Sequence, residues 1–194
     1  HPRHGPTMWA MVMRIALPGQ ASAAATTEVP LEMLSACHGR VQTQCETLQR
    51  LCEHLPRHGA DSAAVQAVEA VLRYFRLAAP HHHADEEADL FPALLDAARG
   101  PDHTRVRQLT RALIEEHRSL EGLWQRLESE LEQVRSGHAG ALARGTVDAF
   151  VAAYTQHIER EENELLPLAA RLLDAAALTR VGSAMRERRG IAAP

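Results

Sequence analysis

The chain contains one short stretch twice, and this repeated stretch decides how the chain folds. Residues 82–92 read HHADEEADLFP, and residues 157–167 read HIEREENELLP, at a constant offset of 75 positions. In both copies a Glu follows the first His after four residues, so the two side chains lie one turn apart on one face of a helix. The matched pairs are His82 with His157, Glu86 with Glu161, Glu87 with Glu162, Leu90 with Leu165 and Pro92 with Pro167.

Outside the two copies, apolar residues recur every three or four positions, which is typical of helices that bury one face. The first predicted helix begins at Pro30 and ends before Pro56, and the second begins after Asp61, which is its predicted N-cap. Because proline lacks the backbone N–H, Pro80 is expected to kink or interrupt the second helix.

The second half of the chain repeats this arrangement. Residues 100–102, GPD, predict a stop, a turn and a new N-cap. The third helix is predicted to end at Gly137, the fourth carries apolar positions from Val147 to Leu172, and a short basic helix is predicted at 177–189. Long amphipathic helices joined by short turns predict an all-α protein, an up-down-up-down four-helix bundle.

The bundle is predicted to occupy residues 29–190, after a flexible N-terminal tail. Residues 1–28 are rich in Ala, Thr, Gly and Pro without periodicity, and residues 1–7 precede the first Met and are expected to be a cloning remnant. The apolar run at 8–17 contains Arg14 and is too short to span a membrane, although it could dock on a hydrophobic surface. No membrane association is therefore expected.

Composition limits the compartment and the partners. The chain has 194 residues, enough for one domain, and a formal net charge of −4, which leaves no excess of positive charge for binding nucleic acid. The three cysteines, Cys37, Cys45 and Cys52, fall in one predicted helix, so they cannot form a closed disulfide framework. A cytoplasmic protein without a nucleic-acid partner is expected.

Each of the four predicted helices carries a histidine where its apolar stripe requires a leucine, and two of them add a glutamate. A buried, unpaired carboxylate is very costly, so these side chains must satisfy one another or bind metal. Nitrogen and carboxylate donors suit Fe, Mn or Zn, and six donors with two glutamates that can bridge favour two metal ions over one. The six candidate ligands are His38, His82, Glu86, His117, His157 and Glu161.

The doubled order H…HxxxE resembles the hemerythrin-like (HHE cation-binding) family over about residues 31–190. The resemblance implies a non-heme centre with two iron ions, with Mn or Zn as less favoured metals, joined by a bridging oxo or hydroxo group. It also implies that the six candidate residues are the iron ligands. No catalytic residue is assigned.

The sequence departs from the oxygen-carrying hemerythrins at one position. Those proteins have a further His four residues after the ligand of the third helix, and here that position is Glu121. Glu121 or Tyr154 could bind the metal or hydrogen-bond one of its ligands; a solvated Glu and a core Tyr are the favoured alternatives. For the residues beside the ligands, exposure to solvent is the favoured expectation and hydrogen bonding to a ligand is the alternative; they are His81, His83, Asp85, Glu87 and Glu162.

The resemblance implies that the protein binds O2 or a related small oxidant, NO or peroxide, for sensing, storage or detoxification. Two alternatives stay open. One is a di-iron enzyme that acts on peroxide or repairs iron centres, and the other is a module whose interactions respond to metal. The expected partner is thus a small diatomic molecule or peroxide, and the oligomeric state is left open.

Overall fold

The computed structural model describes residues 29–192, and every regular element in that part of the chain is helical. Two five-residue π-helical turns, Glu86–Leu90 and Glu161–Leu165, join consecutive α-helices into two long, irregular rods. The α-helices are α1 (Pro30–His58), α2 (Ser62–Asp85), α3 (Phe91–Ala97), α4 (Gly100–Arg135), α5 (Arg144–Arg160), α6 (Leu166–Leu172) and α7 (Ala175–Arg188).

The four rods of the bundle are α1, α2 with α3, α4, and α5 with α6. Helix α1 packs on α2 and α5, and α4 packs on the same two helices from the other side, so the rods form a closed ring. Since short connections join neighbouring rods, consecutive rods run antiparallel. The predicted all-α, up-down-up-down bundle is confirmed, as is the short C-terminal helix, which is α7 and packs on α1, α2 and the first π turn.

Local chemistry explains several of the helix ends. Pro30 occupies the first turn of α1, where its missing N–H costs nothing, and Gly59 ends that helix with a φ of 68°. Asp61 is the N-cap of α2, as predicted, and its carboxylate accepts a hydrogen bond from the Ala64 N–H at 2.8 Å. Asp174 caps α7 in the same way through the Ala177 N–H at 2.7 Å.

Two predicted helix boundaries were wrong, and the interruption predicted as one of two outcomes at Pro80 does not occur. Helix α1 continues through Pro56 to His58, and α2 continues through Pro80 without interruption. Asp102 is not an N-cap, because α4 already begins at Gly100 and the Asp102 carboxylate accepts hydrogen bonds from Arg171 instead. Packing of the amphipathic faces therefore outweighs the loss of one backbone hydrogen bond at each proline.

The apolar core consists of two layers. One layer contains Leu48, Leu72 and Phe150, and the other contains Leu94 and Leu113, all at most 2% exposed. Between the two layers lies a band of buried histidine and carboxylate side chains. The fold thus places polar groups at the centre of the bundle, where water has little access.

No helix within residues 29–192 is both long and apolar enough to cross a membrane. The predicted tail at 1–28, its cloning remnant and the apolar run at 8–17 lie outside the described residues.

Candidate metal centre

The structure brings the six predicted ligands together in the polar band. All six side chains belong to residues that are at most 3% exposed. Their donor atoms form two groups of four, and within each group the atoms lie no more than 4.8 Å apart. The first group is His38, His82, Glu86 and Glu161, and the second is Glu86, His117, His157 and Glu161.

The two glutamates belong to both groups and lie between the histidines. Glu161 approaches His38 Nε2 through Oε2 at 2.8 Å and His157 Nε2 through Oε1 at 3.0 Å. Glu86 approaches His82 Nε2 through Oε1 at 3.5 Å and His117 Nε2 through Oε2 at 3.3 Å. Each carboxylate therefore directs one oxygen toward each histidine pair.

Both glutamates are the first residues of the π turns. The Phe91 N–H bonds the Glu86 carbonyl and the Leu166 N–H bonds the Glu161 carbonyl, five residues apart in each case. A π turn is often found at a functional site, and here it follows directly after the His-Glu pair in both copies. These turns were not predicted from the sequence, although Pro92 and Pro167, each two residues after the last residue of a turn, mark an irregular backbone hydrogen-bond pattern.

The hydrogen bonding of these side chains is incomplete in a way that fits a metal. Although His–Glu distances are short, seven buried ligand atoms have no well-aligned hydrogen-bond partner among the described residues. Leaving so many buried polar atoms unpaired would be costly unless a cation binds them. The unpaired atoms are the Nε2 atoms of His38, His117 and His157 and both carboxylate oxygens of Glu86 and Glu161.

Outer carboxylates hold three of the four histidines in orientation. Glu162 contacts His38 Nδ1 at 2.6 Å, and Glu87 contacts His117 Nδ1 at 2.7 Å. An acceptor on Nδ1 keeps the proton on that nitrogen and leaves Nε2 free to bind a metal. Solvation was the favoured expectation for Glu87 and Glu162; both are partly exposed, but each also contacts a candidate ligand histidine, which was the less favoured alternative.

The third outer carboxylate, Glu116, was not predicted at all. Its Oε2 lies 2.8 Å from His157 Nδ1, and its other oxygen accepts from Arg160. Glu87 is held similarly, since Arg118 donates to it at 2.7 Å. The sequence offered one signal for this role, namely that Glu116 directly precedes the candidate ligand His117.

His82 differs from the other three histidines. Its Nδ1 is buried without an aligned hydrogen-bond partner among the described residues, and the Cys37 thiol lies beside it. Burial alone would raise the pKa of Cys37, but His82 and Arg40 outweigh burial and lower it. Cys37 is thus the counterpart of Glu116. Cys37 directly precedes His38 and lies beside His82, just as Glu116 directly precedes His117 and contacts His157.

The two buried glutamates attract positive charge to the site, whether it is carried by a proton or by a metal ion. Burial lowers the pKa of His38, but Glu161 and Glu162 outweigh burial and raise that pKa to about 9. The pKa of His117 also rises to about 9, against burial, because Glu161 and Glu86 lie beside it. Conversely, burial raises the pKa of Glu161, whereas the surrounding histidines lower it well below its usual value. Protons and metal ions thus compete for the same atoms.

Glu121 and Tyr154, the two additional candidate ligands, belong to neither group of four donor residues. Glu121 is exposed, on the surface of α4. Tyr154 is 4% exposed and packs against Phe75 and Phe150, with its ring centroid 6.4 Å from that of His157. The structure thus agrees with the solvated Glu and the core Tyr that the sequence favoured.

Two other neighbours of the ligands, Asp85 and His83, were expected to be solvated, but the Asp85 side chain and the Nε2 atom of His83 are buried. Asp85 is fully buried and pairs with Arg188 and Arg189 of α7. His83 lies against His117, with ring centroids 4.0 Å apart. The histidines His83, His117 and His157 form a further cluster whose donor atoms lie within 4.8 Å of one another.

Comparison with known proteins agrees with this geometry. The chain matches the Hemerythrin HHE cation binding domain over residues 29–169. It is also 35% identical over 167 residues to a protein of Haemophilus influenzae (strain ATCC 51907 / DSM 11121 / KW20 / Rd), described as an uncharacterized protein, and the match covers 86% of this chain and 94% of the relative. The chain therefore belongs to the hemerythrin HHE cation-binding family of metal-binding helical bundles.

Proposed function

We propose that this bundle binds two iron ions and uses them to bind a small oxidant, namely dioxygen, nitric oxide or peroxide. The observation that carries the proposal is the pair of four-residue groups that share both glutamates. One ion needs only one such group, and four donors already satisfy zinc. Two groups with shared carboxylates fit a dinuclear centre.

The residues divide symmetrically between the two ions. His38 and His82 would hold one ion, His117 and His157 the other, and the glutamates Glu86 and Glu161 would span both. Imidazole and carboxylate donors suit iron and manganese as well as zinc. Zinc has no redox chemistry, whereas iron exchanges electrons reversibly with a small oxidant, and iron is the metal we propose.

The protein around the centre supports binding of a small, uncharged or singly charged molecule. The two apolar layers above and below the polar band exclude bulk water, so the charges of the site act at a low dielectric. The outer carboxylates Glu87, Glu116 and Glu162 fix the histidine rings, which limits rearrangement when a molecule binds.

Metal content and optical spectra test this proposal. Protein purified from iron-sufficient cells is expected to contain two iron ions per chain, and the anaerobically reduced form should gain an absorption band when oxygen, nitric oxide or peroxide is added. Glu86→Ala together with Glu161→Ala should abolish iron binding. Glu121→Gln is the matched control, since this glutamate is exposed and outside both groups.

Two results would reject the proposal. One is a folded, iron-supplied protein that retains no more than one ion per chain. The other is a di-iron protein whose absorption spectrum in the reduced form does not change when oxygen, nitric oxide or peroxide is added. Catalytic turnover of peroxide by the same loaded protein would favour the enzyme alternative over binding alone.

A further inference from the structure

A cleft between α2 and α4 leads from the surface toward the polar band. Its volume is about 420 Å³. Arg118 and Glu121 lie at its exposed rim, whereas Phe75, Trp124 and Tyr154 form apolar walls. Its lining also includes His83 and His117, whose rings contact each other beside the polar band.

His83 lines this cleft and has a free polar atom. Its ring stacks on the ring of His117, with centroids 4.0 Å apart and planes inclined by 14°, and it lies edge-on to the ring of His157 at 6.0 Å. Its Nε2 is buried and has no hydrogen-bond partner among the described residues. A buried nitrogen of this kind costs free energy unless something binds it.

The stacking excludes one explanation, namely that His83 and His117 bind the same metal ion. The lone pair of an imidazole nitrogen lies in the plane of its ring, and a metal binds about 2.0–2.1 Å away in that plane. Two nearly parallel rings stacked 4.0 Å apart cannot both have one ion in their planes at that distance. The free nitrogen of His83 is therefore available to something other than the ion that His117 would hold.

The two arginines that line the cleft already have acceptors on the protein. Arg118 donates to Glu87 at 2.7 Å, and Arg76 donates to Glu128 and Glu132. Each of these cations is thus neutralised by an acceptor on the protein. His83 combines a place beside the histidines of the second group with a free hydrogen-bonding atom.

We propose that His83 hydrogen-bonds the small molecule that enters by this cleft and binds on the His117–His157 side of the centre. The inference rests on the proposed function, because it requires that a small molecule binds there. The two halves of the centre would then differ, since the cleft and its free histidine serve the His117–His157 side. We expect binding to favour that side for this reason.

Azide, a small anion that binds oxidised iron, is the probe for this inference. In His83→Ala the iron content is expected to stay as in the parent protein, while the dissociation constant for azide rises about tenfold, the effect of one lost hydrogen bond to a charged group. His83→Gln, which keeps an N–H donor, should recover part of the affinity. His81→Ala is the matched control, since His81 is the preceding residue but does not line the cleft.

The outcomes separate this inference from the proposed function. If the parent protein holds iron and binds azide but His83→Ala binds it equally well, the inference is wrong and the proposed function stands. If His83→Ala loses iron, His83 is a metal ligand and the inference is again wrong. A parent protein that takes up no iron would overturn the proposed function, and the inference with it.

Discussion

Replacing Arg188 and Arg189 together with alanine removes the two cations that contact the buried carboxylate of Asp85. Arg189 donates to both Asp85 oxygens, at 3.0 and 2.6 Å, and Arg188 donates to one of them and to Asp89. Asp85 itself has no exposed surface. In the double variant a carboxylate would remain buried without its partners, directly beside Glu86.

The size of the effect follows from the burial of the three side chains. Breaking a buried ion pair by removing one partner costs about 3–5 kcal/mol. Arg188 and Arg189 are about one-fifth exposed, and α7 is the last helix described, so water can reach Asp85 if α7 loosens. We therefore expect the lower end, about 3 kcal/mol of unfolding free energy, which corresponds to a drop of roughly 6–12 °C in melting temperature.

Urea unfolding followed by circular dichroism measures this loss. Arg186→Ala is the control, because Arg186 is a neighbouring arginine of α7 that donates to Ser183 rather than to Asp85. Adding Asp85→Asn to the double variant removes the stranded charge and should restore part of the lost stability. A double variant within 1 kcal/mol of the parent, or a triple variant no more stable than the double, would refute the reasoning.

Three further predictions concern the site and the core. The pKa of His38 and of His117 is about 9 in the folded protein, against an ordinary 6.5, so protonation of these two histidines stabilises the fold fully below pH 6.5 and less as the pH rises toward 9. Chelator-treated protein should therefore melt at progressively lower temperature from pH 6.5 to 9. Glu116→Gln should weaken iron binding about 10- to 100-fold in competition with a chelator, whereas Glu121→Gln should not. Leu113→Ala, at a fully buried position, should cost about 2–5 kcal/mol in urea unfolding, and a cost below 1 kcal/mol would contradict its place in the core.

The helices and the six candidate ligands could be predicted because both depend on periodicity within one segment. A histidine that replaces a leucine on an apolar stripe must point inward, whatever the neighbouring helices do. The repeat strengthened this inference, because His82 and His157 occur in equivalent contexts. No knowledge of the packing between helices was needed.

What the sequence did not reveal depends on contacts between helices or on backbone detail. Glu87 lies off the buried stripe, and its position alone predicts solvent. Its role follows from the outer nitrogen of His117, which faces the flank of the neighbouring helix where Glu87 lies. The pairing of Asp85 with Arg189 joins residues 104 positions apart and leaves no local pattern.

The outer hydrogen bonds also describe how the two copies of the repeat depend on each other. Glu162 from the second copy orients His38 of the first half, and Glu87 from the first copy orients His117 of the second half. Each half thus supplies a carboxylate that orients a histidine of the other half, as subunits do across the interface of a symmetric dimer. Neither half carries a complete set of oriented histidines, so a single helical hairpin would have to pair with a second one to assemble this centre.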